Sequence, residues 1–93
     1  MVDDNLLIKF ENDKAEKLVI VFDPPVIDIE LMRGEILYLK IYAFKKLQGD
    51  LADFVTIRYS GGNVISVDIN SIELRLAVII GGKEDIIWGW DES

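Results

Sequence analysis

Asp28 and Glu30 stand two apart in the alternating run Val26–Leu31. On a strand that spacing puts both carboxylates on one face, about 7 Å apart. Paired carboxylates at such a separation can serve glycoside hydrolysis. An acidic outer strand face produces the same spacing with no chemistry attached. Nothing nearby supplies a sugar-binding apparatus beyond scattered aromatics, so the surface reading is preferred.

Two further clusters offer oxygen ligands. Asp23 with Asp28 or Glu30 flanks the Pro24-Pro25 corner, and Asp68, Asn70 and Glu73 fall together later in the chain. Calcium takes roughly six to eight oxygens, and neither cluster has the Asp-x-Asn-x-Asp-Gly spacing of a dedicated loop. Ordinary turn and cap chemistry accounts for both. No metal or cofactor is called for by these residues.

Nucleophilic catalysis lacks its usual parts. The chain has no histidine and no cysteine, which removes the common general base near neutral pH, the commonest metal ligand and a thiolate nucleophile. Ser60, Ser66 and Ser71 would each need a buried lysine beside them, and the spacing singles out none. Ser60-Gly61-Gly62-Asn63 and Ile80-Gly81-Gly82-Lys83 look like phosphate cradles only superficially. A true P-loop follows its lysine with serine or threonine at a helix start, whereas strand-forming runs flank both double glycines. They read as hairpin turns.

The remaining candidates are aromatic. In Glu35–Phe44, one parity is plain core: Leu37, Leu39, Ile41 and Ala43. The other carries Ile36, Tyr38, Lys40, Tyr42 and Phe44, an aromatic stripe around one lysine. Ile86, Trp88 and Trp90 share a strand parity, the tryptophans across Gly89, and a glycine there implies close approach of a neighbouring element. These aromatics fill core and rim, or they form a patch. Tyrosine and tryptophan are favoured anchors in protein interfaces and also stack on sugar rings. Tyr38, Lys40, Tyr42, Trp88 and Trp90 are therefore the candidate binding residues.

Elements that would position them follow from period-two alternation. Strands are expected over Asn5–Glu11, Lys17–Asp23, Val26–Leu31, Glu35–Phe44, Phe54–Tyr59, Asn63–Ile69, Ile72–Ile80 and Asp85–Trp90. Lys17–Asp23 is apolar on both parities in its middle, as a central strand is. Val55, Ile57 and Tyr59 are expected to face inward with Ile65, Val67 and Ile69. Phe44, Leu47, Leu51 and Phe54 fall at helical spacing, but Gly49 interrupts them. A short helical turn or loop over Lys45–Asp53 is expected. With no helix long enough for a parallel crossover, the fold is an all-β antiparallel sandwich or small barrel of about eight strands. At 93 residues it is one domain, 1–93, able to make a core without staples.

Charge narrows the partners. The net charge is −7 and the isoelectric point about 4.4, which disfavours nucleic acid and anionic membranes. The same charge gives solubility and suits a basic protein partner through steered association. The acidic opening Met-Val-Asp-Asp-Asn is unlike a secretory signal, and no apolar run approaches the roughly 20 residues of a membrane span. A cytoplasmic location is the default expectation.

Hydrophobic residues make up 51% of the chain, enough to leave apolar surface beyond a core. The expected function is a non-catalytic protein-binding domain with an acidic surface. Its partner would be a basic protein, as for an inhibitor or immunity protein, or the chain itself as a homodimer. A carbohydrate- or small-ligand-binding domain is the alternative. A hydrolase using Asp28 and Glu30 ranks third.

Overall fold

A computed structural model describes residues 4–14, 16–23, 26–70 and 74–89. Eight strands form, β1 (Leu6–Glu11), β2 (Lys17–Asp23), β3 (Ile27–Met32), β4 (Ile36–Ile41), β5 (Val55–Gly61), β6 (Val64–Ile69), β7 (Leu76–Ile80) and β8 (Lys83–Trp88). They make two four-stranded sheets, ordered β1-β4-β7-β8 and β3-β2-β6-β5. Alternation sorts one parity of each strand into the space between the sheets. Ile20, Phe22, Leu31, Leu37, Leu39, Ile41, Val67 and Leu76 are fully buried there. The sequence reading of an all-β sandwich or small barrel of about eight strands holds, as two four-stranded sheets.

Among the described residues, five of the six strand pairings are antiparallel. The sixth, β2 with β6, is parallel, matching Val19 to Val64 and Asp23 to Asp68. A parallel pair needs a long crossover, but that crossover need not be a helix. Here the chain leaves β2 through β3, enters the other sheet as β4, and returns through β5. The β5–β6 hairpin then lays β6 beside β2. Its two-residue loop, Gly62-Asn63, has φ of +58° and +62°, the paired positive angles that match strand twist.

β4 stops at Ile41, three residues short of the expected end. Ala43 takes φ +53°, held by its N–H donating to Asn5 Oδ1 at 2.7 Å. The reversal sends Phe44 inward instead of along the outer stripe. A 3-10 turn, Phe44–Lys46, and a four-residue helix, α1 (Leu51–Phe54), fill the expected helical stretch. Phe44 meets Phe54 edge-to-face, centroids 6.2 Å apart, so the helical spacing reports a real packing contact made by two short pieces. Likewise β7 begins at Leu76, later than expected. Leu74 is core outside the strand, and residues 71–73 lie outside the described part.

Two burial expectations are corrected. Ile57 and Tyr59 are on the core-facing parity, opposite Val67 and Ile65, yet they are 46% and 73% exposed. β5 is an edge strand of its sheet, with a paired neighbour on one side only. Ile86 and Trp88 do not share a face. Ile86 pairs with Ala77 and Trp88 with Leu76, neighbours on β7 that point oppositely. A bulge at Ile87 supplies the extra residue and inverts the parity.

A buried asparagine ties the layers together. Asn12, 4% exposed, donates from Nδ2 to the Leu31 carbonyl at 2.8 Å. Its backbone N–H donates to Glu35 O at 3.2 Å, and its carbonyl accepts from Gly34 N–H at 2.6 Å. Thus the end of β1 is fixed to the β3–β4 turn, where the chain passes between sheets.

Candidate interaction face

The outward face of the β1-β4-β7-β8 sheet collects most of the candidate aromatic stripe. Register places Leu7, Lys40, Ala77 and Ile86 in one row across the four strands. The adjacent row is Lys9, Tyr38, Ile79 and Glu84. Glu11 and Ile36 begin a third. Leu7 and Ile86, on the two edge strands, are 53% and 54% exposed. Ile36, Tyr38 and Ile79 between them are half-buried. Ala77 is fully buried although it points outward, flanked in its row by Lys40 and Ile86.

Lys40 organises the centre. Its Nζ lies 3.5 Å from Glu84 Oε1 and 4.6 Å from the centroid of the Tyr42 ring. Tyr42 is just past the end of β4, where its N–H still donates to the Arg75 carbonyl at 2.9 Å, and the cation–π contact adds to that pairing. The aliphatic stem of such a lysine covers apolar surface while its head stays paired. Lys9 and Glu11 form a second pair at 3.8 Å. These rows therefore carry two lysines against two glutamates, with Arg75 exposed beside Tyr42 and no excess of acid. At one end, a depression of about 460 Å³ opens between the Gly34-Glu35 and Gly81-Gly82 turns, lined also by Ile36, Tyr38, Ile79 and Ile80.

The outward face of the other sheet differs. Asp23, Asp28, Glu30 and Asp68 outnumber Lys17 and Arg58 there, with Lys17–Glu30 at 3.6 Å and Arg58–Asp68 at 2.8 Å. Asp28 and Glu30 stand exposed on edge strand β3, with Val21 and Val19 as their cross-strand partners. The structure does not bring them to an aromatic-lined cleft. Asp68 is held by Arg58, and Asn70 Nδ2 donates to Thr56 Oγ1 at 3.0 Å. Glu73, Pro24 and Pro25 lie outside the described residues. Among the described residues no group of three or more acidic side chains is placed to hold a metal ion.

Trp88 is not on the interaction face. It packs against the core, and its Nε1 is buried with no acceptor among the described residues. Trp90 lies outside the described part. Gly89 does lie against another element. With φ +85°, a Cβ there would strike the Leu74 carbonyl oxygen and come within 3.0 Å of Arg75 Cα. Leu7, Ile79, Glu84 and Ile86 are face residues beyond the candidates that the sequence points to. The apolar character of Ala77–Ile80 on both parities was the available signal for Ile79, whereas the bulge hid Ile86.

No helix among the described residues is long and apolar enough to cross a membrane. In comparisons with protein-family models, curated proteins and solved structures, the chain matches none of them.

Proposed function

We propose that this chain is a non-catalytic protein-binding domain whose contact surface is the outward face of the β1-β4-β7-β8 sheet. One observation carries the reading. A sheet with one face in water alternates apolar-in with polar-out, yet this outward face runs from Leu7 to Ile86 through Ile36, Tyr38 and Ile79. Apolar surface left exposed among paired charges is characteristic of an interaction surface, and Tyr38, in the middle of its row beside Ile79, is a favoured anchor. The paired Lys40 and Glu84 supply orientation more than affinity.

Parallel capture with wild-type and Leu7→Lys/Ile86→Glu chains as baits tests it. Both substituted side chains are over half exposed, so the variant keeps its fold. Stoichiometric recovery of a protein on the wild-type bait alone supports the reading, and equal recovery on both contradicts it. Recovery that follows Asp28 and Glu30 instead would favour a basic partner on the other sheet.

The depression beside Tyr38 favours a second reading, a carbohydrate or small ligand stacked on that ring. Saturation-transfer NMR against a panel of oligosaccharides separates the two. A response lost in Tyr38→Ala would select the ligand.

A further inference from the structure

We infer that the occupant of this face is a second copy of the chain, docked face to face about a two-fold axis; the inference rests on the protein-binding reading above. Charge comes first. Two chains of net charge −7 repel each other over most of their surfaces. They approach most readily where acid is not in excess, and this face sets Lys9 and Lys40 against Glu11 and Glu84, with Arg75 exposed beside Tyr42. The other sheet, with four acids to two cations, repels its own copy.

Register supplies the second argument. A two-fold contact sets each residue against its mate in both directions. An axis running along the strands, between β4 and β7, exchanges β1 with β8 and β4 with β7 while keeping each row. Leu7 then faces the partner's Ile86, and Tyr38 faces the partner's Ile79. Lys40, the bulkiest member of its row, faces the partner's Ala77, the smallest. Lys9 faces the partner's Glu84. Apolar meets apolar in both rows, large meets small in the first, and cation meets anion in the second. Aligned packing of two sheets is an ordinary sandwich geometry.

Area sets the strength. Four strands and their pleat cover about 20 Å by 20 Å, roughly 400 Å² per copy. A stable interface covers about 800 Å² per partner. The pair is therefore transient, forming as concentration rises.

Sedimentation equilibrium on the intact chain, from about 10 μM to about 1 mM, spans that regime. The mass of the wild type should climb toward that of a dimer. Ile86→Glu should weaken the pair about tenfold or more, because its carboxylate would be buried against the partner's Leu7. Lys9→Glu should weaken it several-fold, and adding Glu84→Lys should restore part of the loss, a rescue that a merely structural role would not give. A wild type that stays monomeric throughout overturns self-pairing, while the bait comparison still decides whether the face takes another protein. A dimer indifferent to all three variants overturns this inference and counts against the face as the contact surface.

Discussion

Asn12 Nδ2 donates to the Leu31 carbonyl across 2.8 Å in a nearly closed interior. The bond joins the end of β1, in one sheet, to β3, an edge strand of the other. A buried carbonyl stripped of its donor is costly in a way an exposed one is not. Asn12→Ala should therefore lower stability by about 1–3 kcal/mol, with a matching fall in the urea midpoint and little change in its slope. A loss below about 0.5 kcal/mol would mean that water reaches the site.

Gly89 and Gly81 make a controlled comparison. Both have positive φ, but a side chain at 89 meets the Leu74 and Arg75 backbone and one at 81 meets open space. Gly89→Ala should cost about 2 kcal/mol or more, from strain plus displaced backbone. Gly81→Asn should cost less than about 0.5 kcal/mol, since asparagine suits the first position of such a turn. Thermal melts of the two variants side by side decide it.

Phe54 is buried and meets Phe44 edge-to-face. Phe54→Ala should destabilise by about 3–5 kcal/mol through cavity formation, measured by chemical denaturation. Phe44→Ala, removing a half-buried partner, should cost less than Phe54→Ala. The reverse order would show that the short helix contributes little to the core.

Asp28→Asn with Glu30→Gln should leave stability within about 0.5 kcal/mol of wild type. Glu30 loses only an exposed pair with Lys17. Partner capture through the apolar face should also be unchanged. Loss of capture would move the contact surface to the acidic sheet.

The core was legible because period two is a strong local signal. Parity points Leu37, Leu39 and Ile41 inward, and all three are fully buried. The helical spacing of Phe44, Leu47, Leu51 and Phe54 likewise named residues that pack on the core. The stripe of Tyr38 and Lys40 was visible for the same reason. Parity cannot report what covers a strand, so it points Ile57 and Tyr59 inward although both are exposed on edge strand β5. One inserted residue defeats parity altogether, as Ile87 does for Ile86 and Trp88. Pairing partners such as β2 and β6 depend on the route of the whole chain, which no local pattern encodes. The depth of Asn12 is similarly non-local, since its acceptor is nineteen residues away.

Methyl NMR of the intact chain, across a dilution series and then a titration with captured partner, tests the contact surface most directly. Leu7, Ile36, Ile79 and Ile86 should shift together and saturate together, while Val19, Val21 and Val64 on the opposite sheet stay still. Shifts confined to the valine side, or none on the face that Tyr38 and Lys40 share, would contradict it.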